Sequence, residues 1–185
     1  MPTKTIATYG ERNPLEAVRA DLAVKVAAVI ASGFIVLVGD VLGAISASGK
    51  LRRRTRAVAA GSGFGTGAAT GEVVDASVFK AGDVLKNAAG TTIGTIAAGG
   101  VNTSTNVITL TANAAVAVAA GAGVYGSDGS QVAAAISDDE TDGTADANAT
   151  VFIGGYLKES ELRGLDSTAK SELGGASVVG GRFKF

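Results

Sequence analysis

The densest group of side chains that could do chemistry is an acidic stretch between residues 138 and 146. Its carboxylates are Asp138, Asp139, Glu140, Asp142 and Asp146. Acids at positions 138, 140 and 142, followed by Gly143, match the first half of a calcium-binding loop. The match fails at the twelfth position, where Ala149 stands in place of the bidentate glutamate that calcium needs. We therefore interpret the stretch as a solvated loop that joins two strands.

The second group is basic and lies in the sequence Leu51–Arg56. Its arginines are Arg52, Arg53, Arg54 and Arg56. On a β-strand, the arginines at 52, 54 and 56 would share one face and Arg53 would lie opposite. A surface that binds single-stranded nucleic acid interleaves cations with aromatic rings, and no ring is present here. With a net charge of −1, the chain is predicted to have no nucleic-acid partner, and the segment is predicted to be a solvated or interface-facing strand.

Composition removes several kinds of catalysis. The chain has no Cys and no His, so it lacks disulfides, thiolate metal sites and the commonest general base. Glycines at 61, 63, 65 and 67 do not fit the spacing of a dinucleotide-binding loop. Asp83 and Glu159 offer carboxylates, but nothing in the sequence pairs them at a catalytic separation. We predict no enzyme, no cofactor and no catalytic or metal site, with a carboxylate hydrolase as the weakest alternative.

Length and hydropathy argue against a membrane partner. The clearest uncharged apolar run, Val26–Gly39, has 14 residues, whereas a spanning helix needs about 20. Residues 1–25 carry charges of both signs and show no signal-peptide pattern, so a soluble protein is expected. The 27 Gly and 2 Pro favour short strands and tight turns over long helices. A core of small side chains is weak alone, which favours oligomerisation or docking on a partner.

The elements that must position these groups are mostly short strands. The acidic loop lies within Gln131–Leu157, where Ala133–Ile136 and Val151–Ile153 are predicted to pair as a hairpin around which the chain is organised. A short helix or turn near residues 14–20, followed by a strand, is favoured near the N-terminus, and the competing interpretation makes Leu22–Ile30 a strand. Further strands are predicted at Phe34–Val38, Val41–Ile45, Leu51–Val58, Thr91–Ile96 and Asn106–Ala112. Ala114–Ala120 fits a short helix or a strand equally well.

The end of the chain is predicted to form a helix and a last strand. Ser167–Leu173 fits a short helix with Asp166 or Ser167 at its N-cap. The final residues, 182–185, alternate charge and aromatic side chains and predict an edge strand with Phe183 and Phe185 on its buried side.

Domain organisation is indicated by a glycine-rich stretch and a short repeat. Residues 59–71 are predicted to be a flexible connector. After it, Val78–Leu85 repeats the earlier Val38–Leu42, since both run through Gly-Asp into Val-Leu. We predict an N-terminal arm and short helix over residues 1–25, a β core over 26–70 and 129–185, and an inserted β-rich lobe over 71–128. The fold class is mainly β, with a small barrel and one or two short helices.

Two blocks of the chain resemble the phage lambda-type head decoration proteins. Residues 31–56, ASGFIVLVGDVLGAISASGKLRRRTR, are similar to the opening stretch of that family with its Gly-Asp-Val-Leu-Gly. Residues 129–157, GSQVAAAISDDETDGTADANATVFIGGYL, are similar to a later stretch, and the final helix and strand follow in family order. Residues 34–38 depart from the family because they are apolar, and residues 71–128 have no counterpart in its shortest members.

The resemblance implies a capsid cement protein with a small β-barrel or β-tulip-like fold. It implies a homotrimer on the outer surface of the virion capsid, assembled in the host cytoplasm, with the phage major capsid protein as partner. It also implies an N-terminal arm that adds a strand to the coat protein. The arm residues would be Thr3, Thr5, Ile6, Thr8, Tyr9 and Arg12. The alternative is a virion-surface β module that binds host glycan through residues 71–128, with Tyr125 and Tyr156 nearby.

Overall fold

The structure, a computed structural model, describes residues 23–174 and 183–184, and this part of the chain is mainly β. The prediction of a mainly β fold with a small barrel and a short helix is confirmed. The helix α1 is Ser167–Gly174, and single 3₁₀ turns lie at Ala76–Val78 and Glu159–Glu161. The strands are β1 Val24–Ile30, β2 Val41–Ala44, β3 Leu51–Arg53, β4 Arg56–Phe64, β5 Thr70–Val73, β6 Val84–Asn87, β7 Thr92–Asn102, β8 Val107–Leu110, β9 Gly123–Tyr125, β10 Ala133–Ser137, β11 Ala147–Tyr156 and β12 Phe183–Lys184.

One sheet contains the strands from both ends of the described chain. Its order is β1-β3-β2-β10-β11-β12, and β1 also pairs with β11. The first five strands therefore form a closed circuit, which we call the ring. The predicted hairpin is confirmed, since β10 and β11 are antiparallel with Ile136 opposite Phe152. Strand β12 continues beside the end of β11, with Phe183 opposite Gly155. Phe183 is buried as predicted, and Phe185 lies outside the described residues.

The remaining six strands form a second closed unit, which we call the barrel. Its order is β4-β5-β8-β7-β6-β9, and β9 pairs back onto β4. The predicted connector over residues 59–71 is wrong, because β4 continues to Phe64 and β5 begins at Thr70. The predicted lobe boundary at residue 71 therefore falls inside a barrel strand. The division of the chain into an arm, a β core and an inserted lobe stays a prediction.

Glycines let β4 bend where the sequence suggested a linker. The β4–β5 pairing shifts register between Ala60 and Phe64. Gly63 has a φ of +68°, and a Cβ there would lie 2.0 Å from the carbonyl oxygen of Val118. Only glycine combines a left-handed backbone with so close an approach. The glycine-rich stretch is therefore part of a bulged barrel strand, β4, which packs against the segment around Val118.

Three buried clusters stabilise the two units from within. The barrel has one core, the ring has a core inside it, and α1 and β12 cover a third cluster on the outer face of β10 and β11. The ring interior takes an apolar side chain from each of its five strands: Ile30, Leu42, Leu51, Ala135 and Val151. Helix α1 is confirmed at its predicted place, where the Asp166 carboxylate accepts a hydrogen bond from the Ala169 N–H at 2.7 Å.

One other predicted strand is wrong, one segment left open between helix and strand is neither, and one predicted strand is interrupted. Residues 34–38 form only an isolated bridge from Val36 to Thr141, because the chain turns at Leu37–Asp40. Residues 114–120 form neither a helix nor a strand, although Val118 makes an isolated bridge to Phe64. The predicted strand Leu51–Val58 is split between β3 and β4, since the chain leaves the ring for the barrel at Arg54 and Thr55. The other predicted strands after residue 23 are confirmed with shifted ends.

The Gly-Asp repeat is a repeated turn. In the first copy, the Asp40 carboxylate accepts from the Leu37 N–H at 2.9 Å, and Gly39 has a φ of +89°. In the second copy, the Asp83 carboxylate accepts from the Lys80 N–H at 2.9 Å, and Gly82 has a φ of +86°. Each turn is a glycine turn closed by the aspartate side chain. One copy leads into β2 of the ring, and the other leads into β6 of the barrel.

Candidate interaction surface

The predicted capsid-binding arm precedes β1, a ring strand whose first residues are exposed. Its residues, Thr3, Thr5, Ile6, Thr8, Tyr9 and Arg12, and the predicted helix at 14–20 lie outside the described residues. The described chain enters at Ala23 and forms β1 at once. Residues 24–27 are all exposed, and the strand becomes buried only at Ile30. Val24 is 41% and Val26 is 38% exposed, which is unusual for valines in a regular strand.

Strand β1 is paired along one side only. All of its residues face β11, whereas β3 reaches only Ile30, which lies opposite Leu51. Within residues 23–174 and 183–184, no strand pairs with the other side of β1 between Val24 and Val29. We call this side the open edge. Unpaired edges present main-chain donors and acceptors to other chains, and natural proteins usually cover them or charge them.

The hydrogen bonds of β11 show which groups of β1 point to the open edge. The Thr150 N–H donates to Asp139 at 2.6 Å, and the Thr150 carbonyl accepts from the Asp138 N–H at 3.0 Å. Both partners directly follow β10, so the polar groups of Thr150 point away from β1. Ala27 lies opposite Thr150 and forms a non-hydrogen-bonded pair with it. The N–H and C=O of Ala27 therefore point into the open edge, and those of Lys25 point the same way.

One charged side chain stands on this otherwise apolar strand. The Lys25 ammonium lies 2.7 Å from an Asp138 carboxylate oxygen and 4.6 Å from the centroid of the Phe152 ring. Both partners belong to the β10–β11 hairpin, so the side chain of Lys25 folds back across the ring. A lysine on an edge strand opposes uncontrolled edge pairing. Here the lysine charge is paired with Asp138, so the side chain does not cover the open edge. The main-chain groups of β1 therefore stay accessible to a partner strand.

The arginine segment is not a solvated strand, which was one of its two predicted alternatives. Arg52 is 1% exposed, and it donates to Asp83 at 2.7 and 3.0 Å and to Asp128 at 2.9 Å. Its guanidinium carbon also lies 3.8 Å from the centroid of the Phe34 ring. Asp83 directly precedes barrel strand β6, whereas Arg52 belongs to ring strand β3. The buried arginine therefore joins the ring to the barrel.

The other arginines are also bound within the chain. Arg53 contacts Asp40 at 3.3 Å and Asp75 at 3.1 Å. Arg54, 4% exposed, lies 3.0 Å from Asp166 and 2.9 Å from Glu172. Arg56 lies 3.3 Å from Asp166 and 5.1 Å from the centroid of the Tyr125 ring. The alternation predicted for a continuous strand is lost because the segment turns between β3 and β4. All four side chains contact acidic residues of this chain, which disfavours a nucleic-acid interface.

The pKa values of the acidic partners follow from this pairing. Burial raises the pKa of Asp40 even though it accepts from the Leu37 N–H and lies beside Arg53. For Asp128, burial acts in the same direction, but hydrogen bonds from Ser130 and the charge of Arg52 together hold its pKa below the ordinary value. The pKa of Asp166 is lowered in the same way, because the Ala169 N–H and Arg54 outweigh burial. These carboxylates act as structural counter-ions to the arginines.

The acidic stretch is a loop between β10 and β11, as predicted. Its carboxylates bind nearby backbone: Asp142 accepts from the Thr144 N–H at 2.9 Å, and Asp146 accepts from the Ser32 N–H at 2.9 Å. Among the described residues, no group of three or more acidic side chains is arranged to hold a metal ion. In the same part of the chain, no helix is long and apolar enough to span a membrane.

Comparison with known proteins finds no matching family model, no similar curated protein and no similar solved structure. The resemblance to head decoration proteins therefore stays a prediction. The open edge of β1 was not singled out from the sequence. The sequence feature that could have indicated it is the run Val24–Val29. Its valines fall on both faces of a strand, so the face that does not pack on the core exposes apolar side chains to solvent.

Proposed function

We propose that this chain is a phage capsid decoration protein. It binds the outer surface of the head as a homotrimer and stabilises contacts between neighbouring major capsid proteins. The observation that carries the proposal is the open edge of β1, which directly follows the N-terminal segment predicted as the coat-binding arm. Exposed valines and outward N–H and C=O groups on Lys25 and Ala27 make this strand a template for an added strand.

The rest of the molecule suits a role in which binding is the whole activity. The four arginines of the segment Leu51–Arg56 and their acidic partners join parts of the described chain to one another. They thereby hold a barrel rigidly on the ring that carries the open edge. When a coat-protein strand pairs with β1, its backbone bonds and the apolar contacts around Val24 and Val26 are added across the seam between subunits. This added interface resists the outward pressure of packaged DNA.

The test uses heads assembled from the phage's own major capsid protein and follows binding of the full chain by co-sedimentation. In the variant Ala27→Pro, the outward N–H is lost, while the hydrogen bonds from β1 to β11 are kept. The matched variant Ala27→Val keeps the N–H and adds a larger side chain. We expect Ala27→Pro to lose head binding and Ala27→Val to retain it. Circular dichroism establishes that both variants are folded.

A second variant addresses the arm, which lies outside the described residues. Removal of residues 1–12 should abolish head binding and leave a folded ring and barrel. Wild-type occupancy of heads by both the truncation and Ala27→Pro would contradict the proposal. Sedimentation equilibrium of the free chain tests the trimer separately.

A further inference from the structure

A groove runs between the ring and the barrel on a part of the surface separate from the open edge. It consists of two clefts with volumes of about 670 Å³ and 330 Å³. The two clefts share the side chains of Asp40, Arg53, Asp75 and Arg163, so they adjoin at a charged saddle. We call the two clefts and their saddle the charged groove.

The saddle itself has two acids and two arginines, but the charged groove as a whole has a surplus of positive charge, with five cationic and three anionic side chains in its lining. Arg53 lies between Asp40 and Asp75 and is matched by them. Arg163 makes no side-chain hydrogen bond or ion pair within residues 23–174 and 183–184, although its charge acts on Asp40 at longer range. Lys80, on the wall of the larger cleft, also lacks an ion pair in the described part of the chain. Its ammonium lies 5.0 Å from the centroid of the Phe34 ring. Two cations are thus available to a ligand.

Each end of the charged groove exposes branched aliphatic side chains. Ile35, at the larger cleft, is 64% exposed. At the smaller cleft, Val74 is 63% and Val58 is 42% exposed. These are among the most exposed large apolar side chains of the described residues, and exposed apolar surface beside a cleft can mark a ligand-binding groove. The wall of the larger cleft includes Gly99 and Gly100, which lets a backbone approach closely.

We infer that the charged groove binds an extended peptide segment of a partner protein that carries a carboxylate between two apolar side chains. The carboxylate lies over the saddle, between Arg163 and Lys80. The apolar side chains contact Ile35 at one end and Val58 and Val74 at the other. A glycan fits less well, because the Phe34 ring is already contacted by Arg52 at 3.8 Å and Lys80 at 5.0 Å. This inference is independent of the capsid proposal, which rests on β1.

The experiment uses the full chain and a short fluorescent probe peptide with two glutamates in its centre and a leucine near each end. Fluorescence anisotropy measures its binding. We expect Lys80→Gln and Arg163→Gln each to weaken binding about tenfold, the size expected when one charged hydrogen-bonding group is lost. The matched control is Lys86→Gln, which removes a lysine of β6 that does not line the charged groove. It should bind like the wild type.

Two further measurements locate the probe. Ile35→Ser should weaken binding without changing the charge of the saddle, which tests the apolar end independently. In NMR titrations of the full chain, the amide signals of Gly99 and Gly100 should shift with probe, and that of Gly49, in the turn between β2 and β3, should stay in place. Melting temperatures close to the wild-type value show that the variants are folded.

Several outcomes would overturn the inference. One is equal binding of a probe with glutamine in place of both glutamates. Another is the same loss of affinity in Lys86→Gln as in Arg163→Gln. A third is binding only after residues 1–22 are removed, since the chain's own segment would then occupy the charged groove. Displacement of the probe by a sialylated oligosaccharide at equal concentration would identify a glycan site instead. None of these outcomes alters head binding through β1.

Discussion

The barrel and the ring are both closed circuits of paired strands, but they differ in how completely the edges of their strands are paired. Every barrel strand has a neighbour on each side, and the circuit closes between β4 and β9. In the ring, β1 faces β11 along its length but meets β3 only at Ile30. The barrel therefore presents few unpaired main-chain groups, whereas the ring leaves one strand with an edge that another chain can use.

The cores differ in the same sense. The barrel's buried apolar residues form a single cluster that includes Phe64, Leu85 and Ile108. The ring divides its buried residues between its interior and a layer under α1. A closed barrel around one core is a self-sufficient scaffold. The ring has thinner buried layers and an open edge, so its stability depends more on its contacts with other parts of the chain. One such contact is made by Arg52 of β3 with Asp83, next to barrel strand β6.

The largest expected effect comes from breaking the link between the two units. Arg52→Ala removes the buried cation that joins β3 to Asp83 and Asp128 and leaves those carboxylates without their partner. Loss of one member of a buried ion pair costs about 3–5 kcal/mol of unfolding free energy. Urea denaturation followed by circular dichroism should show this loss, together with separate transitions for the ring and the barrel.

The matched control for that substitution is Lys50→Ala. Lys50 also pairs with an aspartate, Asp146, but both side chains are about 40% exposed. An exposed pair of this kind adds little to stability, so Lys50→Ala should hardly change the unfolding free energy. If the two substitutions had equal effects, or if Arg52→Ala unfolded in a single transition of unchanged midpoint, the arginine would not couple the units.

The next effect tests whether the glycine-rich stretch is a barrel strand. Gly63→Ala places a Cβ 2.0 Å from the Val118 carbonyl oxygen in a left-handed backbone conformation. We expect a loss of roughly 2–4 kcal/mol in the unfolding free energy, since a clash is added to the cost of about 1–3 kcal/mol for the backbone.

Gly67→Ala separates the two contributions to that loss. Gly67 has a φ of +80°, but a Cβ added there would have no other atom within 4 Å, so only the backbone cost of about 1–2 kcal/mol applies. Calorimetry on both variants should place Gly63→Ala clearly lower. Equal and negligible effects would restore the interpretation of residues 59–71 as a flexible connector.

A smaller effect concerns pH. The pKa of Asp128 is lowered in the folded state, so its contribution to stability is present at neutral pH and is lost as the pH falls below about 4. The pKa of Asp40 is raised, so its folded state binds more protons, and its ionisation reduces stability as the pH rises above that value. Asp128→Asn should therefore flatten the acid limb of a stability profile, and Asp40→Asn should steepen it.

Melting temperatures measured from pH 7 down to pH 3 provide the check. Asp142→Asn provides the comparison: hydrogen bonds from Thr144 lower the pKa of Asp142 within an exposed loop, so this substitution should flatten the acid limb less than Asp128→Asn does. A profile that Asp40→Asn and Asp128→Asn displace in the same direction would contradict the assigned pKa shifts.

Local patterns were enough to predict some of this fold. The β10–β11 hairpin follows from two apolar runs around an acidic loop, and α1 follows from Asp166 and Ser167 at its start. The Gly-Asp repeat also indicated a repeated local structure, because a glycine turn closed by an aspartate needs only four residues. Each of these features is decided by contacts between residues close in sequence, which a single sequence displays.

Contacts between distant residues explain what was missed. Arg54 hydrogen-bonds to Glu172, 118 positions away, and no spacing rule predicts that a basic strand will be buried by acids so far along the chain. The glycines of β4 look like a linker because their close approach to Val118 is visible only in three dimensions. Residues 34–38 look like a strand because they are apolar, yet Phe34 and Val36 fill the ring interior from an irregular segment.

The substitution with the smallest expected effect on stability should have a large effect on head binding, if the ring presents an open edge that the barrel lacks. Val24→Thr with Val26→Thr replaces two exposed valines of the open edge by a residue of similar shape and strand preference. Since neither side chain is buried, the unfolding free energy should change by about 0.5 kcal/mol or less. Head binding should fall, because a partner strand loses its apolar contacts there. Val132→Thr, at an exposed valine that directly precedes β10, a strand separated from β1 by β11, should change neither quantity. Reduced binding in that control as well would mean that exposed valines elsewhere on the molecule also assist docking. The open edge of β1 would then not be the specific binding site.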